Sequence, residues 1–117
     1  MTIQERVVSG ITVLDVEGRM SASSPERLLG AAVRGLLQRD RKRILVNMQK
    51  GPYIDSTGLA EIVEAYHTTT RRGGAFKLVY LTPHVRELLT VTMLISVLNV
   101  FESEADALAS FETAPSS

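Results

Sequence analysis

The chain has 117 residues, and its 13 lysines and arginines equal its 13 aspartates and glutamates, so the formal net charge at pH 7 is zero. This length predicts one domain, and a content of 44% hydrophobic and 22% charged residues is typical of a globular protein. A neutral chain is a poor candidate for non-specific nucleic-acid binding, which requires a basic surface. The lack of cysteine excludes disulfides, thiol catalysis and cysteine-ligated zinc.

The hydropathy pattern predicts a cytoplasmic protein with no membrane span. No apolar stretch approaches the roughly 20 residues that cross a bilayer. The N-terminus also lacks the basic and apolar regions of a signal peptide.

The N-terminal segment predicts a β-hairpin. Residues 3–8 alternate weakly, Ser9-Gly10 is a turn signal, and residues 11–16 form a run rich in β-branched side chains. Gly18 then breaks the strand pattern.

A first helix is predicted from Ser24, with a hydroxyl N-cap and Pro25 at the first helical position. Its apolar stripe has helical spacing and ends in a basic run over residues 39–43. We interpret this run as a solvated helix end, in preference to an anion site. The stripe consists of Leu28, Leu29, Ala32, Val33, Leu36 and Leu37.

Residues 44–48 place apolar side chains on both faces, as expected for a central strand with helices on either side. The loop 51–59 leads into a second amphipathic helix, which ends at two arginines and the C-cap candidates Gly73 and Gly74. Loops of this kind follow the carboxyl end of a strand, where α/β proteins place ligands and chemistry.

The rest of the chain continues the alternation of strands and helices. A strand over residues 76–81 precedes a third helix that begins at Thr82-Pro83, and a short strand over residues 98–101 precedes a last helix capped at Ser103. The order β-β-α-β-α-β-α-β-α predicts an α/β fold with a mostly parallel sheet and an antiparallel N-terminal hairpin strand. We expect one domain over residues 1–112 and a short disordered tail over residues 113–117.

The sequence offers little support for catalysis at the loop. The segment 54–58 has the serine and second glycine of a nucleophile elbow but lacks its first glycine. Only His67 and His84 could act as a base, and although His84 is expected at the same sheet edge as Ser56, no acid is placed to orient it. Phosphate-cradling glycine motifs and metal-ligand spacings are also lacking, so we expect neither an enzyme nor a cofactor or metal site.

Two interpretations of the helix start remain open from the residues alone. Asp55, Ser56 and Thr57 could simply cap the second helix. Alternatively, a phosphate on Ser56 would be tolerated at the positive end of the helix and would repel any partner docked over the loop.

The signature Tyr53-Ile54-Asp55-Ser56-Thr57-Gly58-Leu59 resembles the loop of STAS domains, specifically those of the bacterial anti-sigma factor antagonists. The resemblance extends over nearly the whole chain, through the hairpin ending in Gly18, the Gly73-Gly74 turn, residues 81–85 and residues 94–108. It implies a single STAS-like domain.

The resemblance also implies a non-enzymatic regulator controlled by phosphorylation at Ser56, with Thr57 as the alternative acceptor. The unphosphorylated form would bind an anti-sigma factor that is also a GHKL-type serine kinase, which frees a sigma factor, and a PP2C-type phosphatase would reset the cycle. The implied docking surface includes part of residues 83–93 and the outward face of the second helix. Its expected contact residues are Tyr53, Ile54, Asp55, Ser56, Thr57, Gly58, Leu59, Glu61 and Glu64.

Three positions depart from the family pattern. Aspartate is common where Asn47 stands, an acidic residue is common near Arg19, and glycine is frequent where Met93 stands. We expect the first two changes to make the surroundings of Ser56 less negative, and the third to add apolar surface beside the docking face.

A constitutive scaffold of a stressosome-like assembly, a transporter accessory subunit or a small-molecule or nucleotide sensor would share the fold, and a homodimer is compatible with it.

Overall fold

The computed structural model describes residues 2–20 and 27–112. The predicted tail over residues 113–117 and the predicted helix start at Ser24-Pro25 lie outside these ranges. The strands are β1 Thr2–Val8, β2 Ile11–Glu17, β3 Arg19–Met20, β4 Arg43–Asn47, β5 Tyr53–Ile54, β6 Ala75–Val79 and β7 Asn99–Phe101. The helices are α1 Leu28–Gln38, α2 Ser56–Arg71, α3 Pro83–Val91 and α4 Glu104–Glu112, and a 3₁₀ turn spans Leu94–Ser96.

The main sheet has five strands in the order β1-β2-β4-β6-β7. The pair β1-β2 is antiparallel, and the remaining pairs are parallel. This arrangement confirms the predicted α/β class, the N-terminal hairpin and the mostly parallel sheet. The predicted elements therefore have the expected types and order.

Alternate residues of each central strand face two separate cores. In β4, Ile44 and Val46 pack with α1, α2 and α3, whereas Leu45 packs with α4 on the opposite face. All three side chains are fully buried, which confirms the central strand that the continuous apolar run predicts. The sheet is thus a rigid support with α2 lying across one face.

An ion-pair network ties the hairpin to α4 on the other face. Arg6 donates to Asp15 at 2.7 Å and to Glu104 at 2.6 Å. These bonds with Arg6 hold the pKa values of both carboxyls below their usual range. The Asn47 amide donates to the same Asp15 at 2.8 Å. Asn47 therefore bonds to this network through its amide nitrogen, while its amide oxygen accepts from the Gln49 N–H at 2.9 Å in the segment that leads towards Ser56. That Asn47 makes the surroundings of Ser56 less negative stays a prediction.

The helix ends follow the local signals in the sequence. Thr82 caps α3 by accepting from the Val85 N–H at 3.2 Å, and Ser103 does the same for Asp106 at 3.1 Å at the start of α4. At the end of α2, Gly73 has a φ of +79°, and its N–H donates to the Thr70 carbonyl. The positive φ makes glycine favourable at that position, as the C-cap prediction requires.

Candidate functional site

The loop before α2 is held by a second, two-stranded sheet that the sequence pattern does not predict. β5 pairs in parallel with β3, so that Arg19 lies opposite Tyr53 and Met20 opposite Ile54. The Tyr53 N–H also donates to the Gly18 carbonyl at 2.8 Å. Two-residue strands carry too few alternating positions to be recognised from sequence. Their pairing fixes the path of the signature loop where it leaves the main sheet.

Gly58 allows the segment around Met20 to lie directly against the first turn of α2. A Cβ at position 58 would stand 2.7 Å from the Met20 carbonyl carbon and closer still to its oxygen. Real Cβ atoms essentially never come that close, so position 58 requires glycine for space. Gly58 and Ile54 are both buried. These two expected contact residues therefore shape the loop from below.

Asp55 is the N-cap of α2. Its carboxylate accepts from the Gly58 N–H at 3.0 Å, and its carbonyl accepts from the Leu59 N–H at 2.8 Å. Ser56 and Thr57 are the next two residues; both are exposed, and neither hydroxyl bonds to any residue in the described part of the chain. Among the residues that the structure describes, Asp55 performs the cap, and the exposed Ser56 hydroxyl is not used for it.

Tyr53 forms an exposed aromatic surface beside Ser56. Its ring stacks on His84 of α3, with centroids 6.3 Å apart and an interplanar angle of 12°. The Arg19 guanidinium lies 4.9 Å from the Tyr53 ring centroid, within cation–π range. His84 therefore lies beside the signature loop, as expected from its place on the same sheet edge. Arg19 brings a positive charge to this surface, as its departure from the family pattern implies.

A shallow apolar groove of about 410 Å³ runs along α2 from Ser56 towards His67. Leu59, Val63 and Leu94 line its floor and wall. Met93, next to Leu94, has a φ of +62°, a conformation in which glycine is strain-free, and its side chain is 78% exposed. Its exposure adds apolar surface beside the groove, as expected for a methionine at this position.

The expectation that Glu61 lies on the outward face of α2 is wrong. Glu61 is only 7% exposed, and its carboxylate accepts from the Gly30 N–H at 3.0 Å. Gly30 is in the first turn of α1, where N–H groups have no partner within the helix. Glu61 thus acts as a cap for α1 supplied by α2, a role that depends on a contact 31 residues apart in the chain.

Glu64 lies on the exposed side of α2, as expected. Its carboxylate pairs with Arg27 at 3.4 Å, and the Glu64 side chain is 58% exposed. Glu61 and Glu64 are neighbours one helical turn apart and border the same cleft beside α1, but Glu61 is buried in the contact with α1 whereas Glu64 stays exposed at its rim. Glu64 and the exposed residues of the loop are therefore available to a docking protein.

The model of the STAS domain family matches residues 2–107. The chain belongs to the STAS domain family. The BtrV protein of Bordetella bronchiseptica is described by its name as a candidate anti-sigma factor antagonist. It is 25% identical to this chain over 107 residues, which cover 92% of this chain and 91% of BtrV.

Solved structures show the same fold. An anti-sigma factor antagonist from Mycobacterium paratuberculosis has a TM-score of 0.82 and 19% identity, over 95% of this chain and 93% of that protein. The Bacillus cell fate determinant SpoIIAA in its phosphorylated form has a TM-score of 0.70 and 15% identity, over 94% of this chain and 99% of that protein. The resemblance to anti-sigma factor antagonists is confirmed at the level of family and fold. In the described residues, no helix is both long and apolar enough to cross a bilayer.

Proposed function

We propose that this STAS domain is an anti-sigma factor antagonist whose binding to its anti-sigma factor is switched off by phosphorylation of Ser56. The unphosphorylated chain binds an anti-sigma factor of the GHKL serine-kinase type in the cytoplasm and thereby frees a sigma factor. The kinase modifies Ser56, with Thr57 as the alternative acceptor, and a PP2C-type phosphatase removes the phosphate. The chain itself carries out no catalysis in this cycle.

The Ser56 hydroxyl is the observation that carries this proposal. It is exposed and free of hydrogen bonds to other described residues, while the neighbouring Asp55 already caps the helix. Adding a phosphate to Ser56 therefore removes none of the interactions by which the described residues hold α2. The phosphate would lie near the positive end of the helix dipole, which favours an anion.

The surroundings of Ser56 explain why a phosphate would release a partner. The adjacent groove is lined by apolar side chains, including Leu59 and Val63, and the exposed Met93 lies beside it. A protein docked on this surface would cover Ser56 and remove it from water. Burying a phosphate of roughly two negative charges in such an apolar interface is strongly unfavourable.

The partner surface that we propose consists of exposed groups from three segments. Tyr53 lies in the loop, its stacked neighbour His84 lies beside it on α3, and Ser56, Thr57 and Glu64 lie along α2. Aromatic side chains such as Tyr53 are common anchors in protein interfaces. The family relationship supports an anti-sigma factor as the protein that binds here, because relatives of this chain are named as antagonists of such factors.

Phosphate transfer to the protein tests the proposal. The protein is incubated with ATP and the anti-sigma factor kinase, and the modified residue is mapped by mass spectrometry of its peptides. We expect one phosphate on Ser56 and none in the Ser56→Ala variant, whereas Thr57→Ala should still be modified. A kinase that binds the protein but leaves Ser56 and Thr57 unmodified would overturn the switch. Equal partner binding by Ser56→Ala and Ser56→Asp would indicate a constitutive scaffold.

A further inference from the structure

The charges of this neutral chain are unevenly distributed over its surface. Six of its 13 lysines and arginines lie in or directly beside the two turns that lead into β4 and β6. Both turns lie at the amino ends of parallel strands, the opposite edge of the sheet from Ser56, which follows the carboxyl end of β4. We call these six residues the basic edge. They are Arg39, Arg41, Lys42, Arg43, Arg71 and Arg72.

Half of the basic edge already has a structural role. Arg39 donates to the Gly35 carbonyl at 3.3 Å and pairs with Glu5 at 3.4 Å, and Arg72 donates to the Leu37 carbonyl at 3.3 Å. Both arginines thereby satisfy carbonyls at the end of α1, as a solvated helix end requires. Lys42 pairs with Asp40 at 3.4 Å.

Arg41, Arg43 and Arg71 have no such role. All three are exposed, and none makes a hydrogen bond or an ion pair within residues 2–20 and 27–112. Arg41 and Arg43 border an open hollow of about 400 Å³ whose lining is completed by Gly10, Arg39, Asp40 and Lys42. The helix-end interpretation of the basic run therefore accounts for Arg39 but does not explain the exposed guanidinium groups of Arg41 and Arg43.

The backbone beneath the basic edge is fixed by hydrogen bonds. The Arg41 N–H donates to the Leu36 carbonyl at 2.9 Å, and the Ala75 N–H donates to the Lys42 carbonyl at 2.8 Å. The second bond joins the two turns, because Ala75 directly follows the turn that contains Arg72 and Gly74. The cations are thus presented from a rigid base, which lowers the entropy cost of binding a ligand.

We propose that the basic edge is a docking surface for a carboxylate-rich segment of another protein. Five of its six cations are arginines, whose planar guanidinium groups bind carboxylates in a bidentate manner. The two turns contain no aromatic residue on which a nucleic-acid base could stack, and the chain as a whole carries no net positive charge. They also lack the apolar side chains with which a membrane-bound surface inserts into lipid.

The position of this surface has a functional consequence. Because the basic edge and Ser56 lie at opposite edges of the sheet, an acidic segment and a partner at the Ser56 loop can be bound together. The domain would then join two proteins, with phosphorylation controlling only one of the two contacts. This inference does not depend on the proposed phosphorylation of Ser56.

A fluorescein-labelled peptide rich in glutamate tests the proposal by fluorescence anisotropy. We expect binding that weakens as salt rises from about 50 mM to about 200 mM, since exposed ion pairs are screened. The double variant Arg41→Gln/Arg43→Gln should bind the peptide about fivefold more weakly. Arg34→Gln/Lys50→Gln is the matched control, because both side chains are exposed, lie outside the basic edge and are free of ion pairs in the described part. It should change the affinity by less than about twofold.

Ser56→Asp should bind the acidic peptide as the wild type does, and circular dichroism checks that each variant is folded. Failure of the wild type to bind the peptide at low salt, or equal weakening by the control, would overturn the proposal. Tighter binding of a single-stranded DNA of equal charge would assign the surface to nucleic acid instead. Self-association in sedimentation at low salt, abolished by Arg41→Gln/Arg43→Gln, would assign it to a second copy of the chain.

Discussion

The two sides of α2 differ in what their residues do. On the inner side, Gly58 lies against the Met20 backbone and Glu61 bonds to α1, both buried. On the outer side, Ser56 and Thr57 are exposed and make no hydrogen bond within the described residues, and Glu64 makes only an exposed ion pair. The inner residues fix the helix and the outer residues are presented from it. The interactions by which the described residues position the loop therefore do not involve the Ser56 hydroxyl.

The largest effect on stability is expected from Gly58→Ala on the inner side. The new Cβ would collide with the Met20 carbonyl, and backbone cannot move aside as a flexible side chain can. We expect a loss of about 3 kcal/mol in the free energy of unfolding, measured by urea denaturation. Gly35→Ala in α1 is the control, because nothing beyond its chain neighbours and its own helix backbone lies within 4 Å of the added Cβ, and it should stabilise the protein by up to about 1 kcal/mol. Equal stabilities of the two variants would show that Gly58 is not needed for close packing.

Glu61→Ala should cost the next largest amount. It leaves the Gly30 N–H of α1 without its acceptor in a half-buried site, which costs about 1–3 kcal/mol. Glu64→Ala, on the exposed side of the same helix, should cost less than about 0.5 kcal/mol. Urea denaturation of both variants measures the difference, and Glu61→Gln, which keeps an acceptor oxygen, should recover part of the loss. A larger effect of Glu64→Ala would reverse the assignment of the two sides.

Arg6→Met separates the stability of the sheet from the function of α2. Removing the bonds to Asp15 and Glu104 should cost about 1 kcal/mol at pH 7, since the network is partly exposed and screened. Arg6 lowers the pKa of both carboxyls in the folded protein, so its contribution is present above their unfolded pKa values of about 4. This stabilising contribution is lost as the pH falls through the lowered pKa values of Asp15 and Glu104.

The difference in stability between wild type and Arg6→Met should therefore shrink on acidification below about pH 4. Denaturation at a series of pH values measures it, with Arg39→Met, which breaks an exposed pair with Glu5, as a control of small effect. A difference that stays constant down to about pH 2 would contradict the ion-pair account. Partner binding at pH 7 should be unchanged in the folded variant.

Ser56→Ala should have the smallest effect on stability, within about 0.5 kcal/mol, because the exposed Ser56 hydroxyl makes no hydrogen bond to residues 2–20 or 27–112. Its neighbour provides the contrast. Asp55→Ala removes the N-cap of α2 and should cost about 1 kcal/mol. Thermal unfolding of the two variants compares them directly, and a cost of Ser56→Ala equal to that of Asp55→Ala would mean that both residues cap the helix.

The sequence predicted the parts of the molecule that depend on local signals. Thr82, Ser103 and Gly73 act at helix ends as their residue types and positions indicate. The apolar run of β4 is fully buried, and its burial on both faces could be predicted from composition alone. The signature loop likewise begins α2 with Ser56 exposed at its first turn.

Features that depend on contacts between distant segments could not be predicted in the same way. The pairing of β3 with β5 joins two dipeptides, which are too short for any periodic pattern. The role of Glu61 depends on where α1 packs, and helical spacing alone made it appear outward-facing. The basic edge combines residues about 30 positions apart, so the zero net charge of the sequence concealed it.

The central claim is that a phosphate on Ser56 weakens partner binding while the fold stays intact. Isothermal titration of the anti-sigma factor with unmodified and Ser56-phosphorylated protein tests it most directly, with thermal unfolding of both forms as the check on the fold. We predict that the phosphorylated form unfolds at nearly the same temperature and binds at least about tenfold more weakly, a loss of about 1.4 kcal/mol or more. Equal affinities of the two forms for the anti-sigma factor would contradict the account.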